Sequence, residues 1–245
     1  LLAPHAPYTV GDDSFRKLVA LAQQLGLGTH IHVHETAFEV EQALQNSGER
    51  PLARLDRLGI LSAKTLAVHM TQLTDSDIAL CAARGVHVAH CPQSNLKLAS
   101  GIAPLAKLLA QGVNVGIGTD GAASNNDLDM FEEMRTAALL AKIDAKDATA
   151  LPAWQALELV TINAARALGW DAEIGSLEAG KAADLIAVNL DHPATQPVYQ
   201  VISQLVYAAG RDQVSDVWVG GEQMLAQGKF TRLDWPDIQQ SAARW

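Results

Sequence analysis

The sequence predicts an α/β protein: the later strands of an eight-stranded (β/α)8 barrel followed by a second, smaller β unit. Three observations predict it. Short apolar segments alternate with helix-like stretches at intervals of about 20 to 40 residues, the spacing of parallel strands joined by crossover helices. Each expected strand ends in a reactive residue (His5, His32 with Glu35, His69, His90, Asp120), and that C-terminal rim is where parallel α/β folds build chemistry. After about Trp170 the rhythm changes to short segments joined by glycine turns. Five strands are visible where a closed barrel needs eight. The other three are expected upstream of Leu1, where the chain opens without methionine in what reads as the middle of a strand.

Leu1–Ala3 reads as a strand end, followed by the loop Pro4-His5-Ala6-Pro7-Tyr8-Thr9. Residues 13–25 place Phe15, Leu18, Val19, Ala22 and Leu25 on one helical stripe, with Gly26 as the stop. Thr29–His34 is the next strand, and helical segments run on to about Leu58, interrupted at Gly48 and Pro51. Thr65–His69 is a short buried strand, and Thr74–Asp77 caps a helix carrying Ile78, Leu80 and Cys81 to Gly85. Val86–His90 is a strand; a helix over Pro104–Gln111 leads to the strand Val113–Thr119. Ser124–Asp127 is expected to cap the next helix. Pro152 is expected to open another, with Trp154, Leu157, Val160 and Leu168 inside and Gly169 closing it. Ile174–Val188 and Val214–Val219 read as short antiparallel strands. The expected units are residues 1–170 (barrel strands four to eight), 171–232 (the second, smaller β unit) and 233–245 (a polar, amphipathic tail).

Composition bounds the function. Apolar residues make up 49% and charged residues 18%, a globular balance. The net charge of −9, with no basic patch, argues against nucleic acid as a partner. No apolar run reaches membrane-spanning length. Two cysteines, Cys81 and Cys91, imply no disulfide scaffold and suit a reducing cytoplasm.

The chemistry gathers around Thr29-His30-Ile31-His32-Val33-His34-Glu35-Thr36. On a strand, His30, His32 and His34 alternate onto one face. A row of imidazoles is a poor core and a good set of nitrogen ligands for a divalent metal. His32 and Asp120 are candidate metal ligands, and Glu35 is a candidate proton carrier. His69 is placed to hold an attacking water or steady developing charge.

The segments Pro4–Tyr8, His32-Val33-His34-Glu35-Thr36, Val68-His69, His90–Asn95 and Gly118-Thr119-Asp120-Gly121 together resemble the amidohydrolase superfamily. Within it they are similar to the 5-methylthioadenosine/S-adenosylhomocysteine deaminases and triazine hydrolases. Gly175–Ala187 resembles that superfamily's composite β-sandwich domain. The resemblance implies a (β/α)8 metal-dependent hydrolase with one divalent metal, Zn2+ in the usual case. It implies His32 and Asp120 as metal ligands and Glu35 as the group that contacts the purine and moves protons. His69 would face the bound water, and His5 would contact substrate. Glu35 and Asp120 are counted with the substrate-contacting groups as well as with the catalytic ones. The family's first-strand His-x-His pair has no counterpart in the chain. An upstream part of the same protein is therefore an expected partner, and a homo-oligomer is a further option. The implied activity is conversion of 5-methylthioadenosine or S-adenosylhomocysteine to the inosine analogue and ammonia. The alternatives are a guanine, cytosine or chlorotriazine hydrolase, or a catalytically silent half-barrel.

The remaining candidates have plainer readings. His30 is expected deep in the barrel, His34 behind the ligands, and His87 and His192 in structural or exposed positions. His90 suits substrate contact or turn stabilisation equally, while Ser94 and Asn95 suit a turn. Glu39 and Glu41 read as helix-surface charges. Gly116–Gly121 lacks the lysine or arginine of a phosphate loop, and nothing near Cys91 reads as a base to activate it.

Overall fold

The computed structural model describes residues 1–244; Trp245, the last residue of the expected tail, lies outside them. Its first part runs α1 (Asp12–Leu25), β1 (Thr29–Val33), α2 (Ala37–Ser47), α3 (Pro51–Arg57), β2 (Thr65–His69), α4 (Asp75–Arg84), β3 (His87–His90), α5 (Pro92–Lys97), α6 (Leu105–Ala110) and β4 (Val115–Ile117). α7 (Ala122–Asn125), α8 (Met130–Ala145), α9 (Ala153–Leu159) and α10 (Ile162–Leu168) follow. β1 to β4 form one parallel sheet in chain order, and Leu2 extends it by a single parallel bridge to Thr29. The expected first strand is thus reduced to that bridge.

Register decides what each face carries. Ile31, Ala67 and Val88 point with Val115 into a core shared with Leu52, Leu55, Ile78, Cys81, Leu105 and Leu108 of the flanking helices. The alternate row pairs His30 with Leu66, His32 with Val68, and Leu66 with His87. On this row His30, His32 and His87 stay partly accessible while Leu66 and Val68 are buried. His30 and His32 share a face as the alternation requires. His34 does not: the strand ends at Val33, and His34 takes a left-handed φ of 53° that turns its ring into the protein. There its Nδ1 donates to the Gln72 carbonyl at 3.1 Å and its Nε2 accepts from the Leu52 N–H at 3.2 Å.

The helices follow their end signals. Thr74 caps α4 in a reciprocal box with Asp77, and Gly26 and Gly85 close α1 and α4 in left-handed geometry. Two expectations shift. Ser124 and Asn125 lie inside α7 rather than capping the long helix, and Asp129 caps α8 by accepting from the Phe131 N–H. The helix from Pro152 breaks at Val160–Thr161, where the Thr161 hydroxyl bonds back to the Leu157 carbonyl at 2.7 Å. Trp154 and Leu168, expected inside, are about half exposed.

Beyond α10 come β5 (Leu185–Val188), α11 (Val201–Tyr207), a 3-10 turn at Arg211–Gln213, β6 (Val214–Val219), β7 (Glu222–Ala226), β8 (Lys229–Phe230) and α12 (Trp235–Ala242). β5 to β8 make an antiparallel sheet in chain order. Of the segment Ile174–Val188, only Leu185–Val188 is strand, while β6 covers the expected Val214–Val219. Gly220 and Gly221, both at positive φ, make the two-residue turn into β7. α11 packs back on α8 and α9: Val206 is fully buried in the first core, and Arg135 donates to the carbonyls of Val206 and Ala209 at 3.2 and 2.5 Å. Among the described residues no helix is long and apolar enough to cross a membrane.

Candidate active site

The site forms where the parallel strands end. His32 lies on β1, Glu35 two residues past it, His69 at the tip of β2 and Asp120 three residues beyond β4. Simple alternation would not bring them together. His69 pairs in register with Val33, whose side chain faces the helices. A left-handed φ of 74° at His69 breaks that alternation, and its ring stacks 5.4 Å from the His32 ring, centroid to centroid. Asp120 makes a similar turn at φ 62°. Non-glycine residues held in this conformation cost about 1–3 kcal/mol each and cluster where function requires them.

The result is compact. One ligand atom from each of His32, His69 and Asp120 lies within 4.8 Å of the other two. His32 donates from Nδ1 to the His5 carbonyl at 2.8 Å, and the same carbonyl accepts the His32 backbone N–H at 3.1 Å. That leaves Nε2 as its free lone pair. The Asn95 side-chain carbonyl accepts from His69 Nδ1 at 2.8 Å, again freeing Nε2, which stands 3.8 Å from Glu35 Oε2. Asp120 Oδ2 accepts from the hydroxyls of Ser94 and Ser124 at 2.7 and 2.6 Å. Burial alone would raise the Asp120 pKa. The bonds from Ser124 and Ser94, the Gly121 N–H and the nearby His69 outweigh it, so the carboxyl stays below its usual range and is ionised at neutral pH. His5 flanks this group, its ring 5.2 Å from His32 and its Nδ1 2.9 Å from the Thr9 hydroxyl.

All five residues singled out in the sequence therefore meet at one mouth. Several others that surround them have another place than the sequence suggests, or give no signal in it. Ser94 and Asn95 belong to α5, not to a free turn, and both are buried with their side chains on Asp120 and His69. Pro92 at the first position of that helix was the available signal. Glu39 is buried rather than a surface charge, and its carboxylate accepts from the backbone N–H groups of His34 and Glu35. Glu133, in the first turn of α8, is fully buried and accepts from Gln93 N–H and from the Asn125 side chain. His90 is buried behind the site. Burial, with the carboxylates of Asp120 and Glu133 nearby, pushes the Cys91 thiol up to about 12, which rules against it as a nucleophile.

Two imidazole nitrogens with their far sides already hydrogen-bonded, and one ionised carboxylate, suit a borderline divalent cation such as zinc. Convergent nitrogen and oxygen donors at the C-terminal tips of a parallel sheet are the arrangement used by metal-dependent hydrolases. The chain belongs to the amidohydrolase family, whose model matches residues 1–224. It is 50% identical over 242 residues to a 5-methylthioadenosine/S-adenosylhomocysteine deaminase of Teredinibacter turnerae, covering 99% of this chain and 55% of that protein. A protein of the same name from Moorella thermoacetica is 50% identical over 238 residues, covering 97% of this chain and 56% of its own length. Among solved structures, an adenosine deaminase from Xanthomonas campestris with bound zinc superposes with a TM-score of 0.97. It is 55% identical, and the match covers 99% of this chain and 55% of that one. An atrazine chlorohydrolase from Arthrobacter aurescens, complexed with zinc, gives 0.90 at 25% identity, covering 96% and 52% of the two chains. The chain thus spans just over half the length of the curated relatives it matches.

Proposed function

We propose that the protein is a zinc-dependent hydrolytic deaminase of 5-methylthioadenosine or S-adenosylhomocysteine, replacing the amino group of the adenine ring by oxygen and releasing ammonia. The observation that carries this reading is the convergence of His32, His69 and Asp120 with Glu35 beside them. Supporting it are two relatives at 50% identity that bear that deaminase name and match nearly the whole of this chain. The chlorohydrolase likeness, at half that identity, makes a triazine the weaker choice.

His32 and Asp120 would hold the zinc, which supplies Lewis acidity and lowers the pKa of water when bound. Asp120 has an ionised carboxylate with Oδ2 engaged by two serines, so Oδ1 is the oxygen available to take the proton of the attacking water. Glu35 protonates the ring nitrogen next to the amino-bearing carbon, which makes that carbon electrophilic. Water adds there as it gives its proton to Asp120; that proton passes on to the amino nitrogen, and ammonia departs while the new hydroxyl returns a proton to Glu35 and becomes the carbonyl. His69 lies between Glu35 and the ligands, its Nε2 placed to orient the water or stabilise the charge it develops. His5 contacts the substrate from the flank.

The four-stranded parallel sheet would then be half of a closed (β/α)8 barrel, with residues 171–232 part of a β-sandwich domain and 233–245 its tail. The partly accessible row His30, His32 and His87 is the face such a barrel turns inward. Zinc-loaded full-length protein should release ammonia from 5-methylthioadenosine, and Glu35→Gln should lower kcat by roughly 10²–10⁴-fold while zinc content stays the same. Turnover unaffected by Glu35→Gln, or a preference for guanine, cytosine or a chlorotriazine across a small panel, overturns this reading.

A further inference from the structure

Glu39 takes no part in the ligand set, yet its buried carboxylate is fully engaged on the chain that carries Glu35. Oε1 accepts the His34 N–H at 3.1 Å and Oε2 accepts the Glu35 N–H at 2.8 Å. The left-handed φ of His34 makes this possible, because it turns two successive N–H groups toward one concavity that favours an anion. Ordinary helix capping does not account for the arrangement. Thr36 caps α2 by accepting the Glu39 N–H at 3.2 Å, and a glutamate at this position usually returns to the capping residue's own N–H. Here the carboxylate feels that N–H as well, and its two hydrogen bonds run further back, to the two residues before it. On the other side of the same peptide segment, the Thr71 hydroxyl lies 2.6 Å from the Glu35 carbonyl oxygen. Glu35 is gripped at both its N–H and its C=O.

We propose that Glu39 is a positioning residue for Glu35: by filling the two-N–H concavity at His34–Glu35, it fixes the direction in which the Glu35 side chain leaves the backbone. The proposal rests on the reading of Glu35 as the proton carrier. Removing the anion leaves two buried N–H groups unpaired exactly where a misplacement of a fraction of an ångström at the backbone is carried to the carboxyl.

The test is a double-mutant cycle in the zinc-loaded full-length protein, joined to amide exchange in the metal-free form. Glu39→Gln keeps one acceptor oxygen and sets an NH2 against the other N–H. It should lower kcat by roughly 10–100-fold with KM changed less than about threefold and zinc content constant. In the Glu35→Gln background the same substitution should change kcat by less than about twofold, since its target is already gone. Exchange of the His34 and Glu35 amides should speed up by about tenfold or more in Glu39→Gln. A full, additive loss of kcat in the Glu35→Gln background, or unaltered exchange at both amides, overturns the proposal. If Glu35→Gln alone leaves kcat unchanged, the reading of Glu35 fails instead, and amide exchange still reports on the concavity. Should Glu39→Gln not fold, Glu39→Asp, which keeps the charge but shortens the reach, carries the same two readouts.

Discussion

His69 Nδ1 and the side-chain oxygen of Asn95 lie 2.8 Å apart in a buried setting, which fixes the imidazole proton on the nitrogen that faces away from the site. The lone pair on Nε2 is thereby committed to the mouth. Asn95→Ala removes the acceptor and frees the ring to rotate or change tautomer. A misplaced catalytic group costs up to about 100-fold, so kcat should fall by roughly 10–100-fold. Zinc content, measured by metal analysis, should hold, because neither His32 nor Asp120 depends on Asn95. A variant that loses zinc in step with activity would place His69 among the ligands.

Two buried groups pull stability in opposite directions between pH 4.5 and 6.5. Burial lowers the His34 pKa to about 4, aided by the Arg50 charge and opposed by Asp77 and the Gln72 carbonyl. Below pH 6.5 the unfolded chain therefore binds the proton that the native state refuses, and this contribution is lost as pH falls toward 4. Burial raises the Glu133 pKa to about 7, so there the native state holds the extra proton and stability is lost as pH rises from 4.5. Each swing is worth up to about 3 kcal/mol. Urea unfolding across the window should show the deficit of His34→Leu shrinking as pH falls. The deficit of Glu133→Gln should shrink as pH rises.

The same two residues show what the sequence could and could not reveal. Strand order, the parallel sheet and the five converging residues were legible because period-two apolar runs and reactive tips are local signals. The turn that puts His34 behind the ligands was not. Alternation alone would set it beside His32, and only the left-handed φ at the end of β1 takes it away. Ser94 and Asn95 read as a turn and form a helix instead, since short polar residues after a proline fit a first helical turn as well. Glu39 reads as a helix-surface charge and Glu133 carries no signal of its own, because the partners that bury them are backbone N–H groups and, for Glu133, the Asn125 side chain. Backbone donors leave no trace in sequence pattern.

Gly28 sets the entry to β1, and its lack of a side chain is required. A Cβ there would lie 2.2 Å from the Lys64 carbonyl oxygen and 2.9 Å from the Leu1 side chain. That carbonyl accepts the Thr29 N–H, the first bond of the β1–β2 ladder, so it cannot withdraw freely. Gly28→Ala should cost at least about 1–3 kcal/mol, the usual penalty for overpacking, read as a lower urea midpoint. Gly11→Ala, where a Cβ meets nothing within 4 Å, is the control without a clash and should cost no more than about 1 kcal/mol, the scale of an alanine at the capping position of α1.

Metal retention separates the roles of the three converging groups. His32 and Asp120 are each held by bonds that leave one donor atom free, and the ionised Asp120 adds the negative charge that favours a cation. Ala at either position should lower zinc content and remove the thermal stabilisation that added zinc gives the parent protein, which at one hundred times the dissociation constant amounts to about 2.7 kcal/mol. On the proposed reading the metal falls to His32 and Asp120, and the His69 nitrogen, 3.8 Å from a Glu35 oxygen, orients the water. His69→Ala should therefore keep both the zinc and the stabilisation while losing turnover. Equal zinc loss in all three variants would make His69 a ligand and leave the water to be oriented by Glu35 and Asp120 alone.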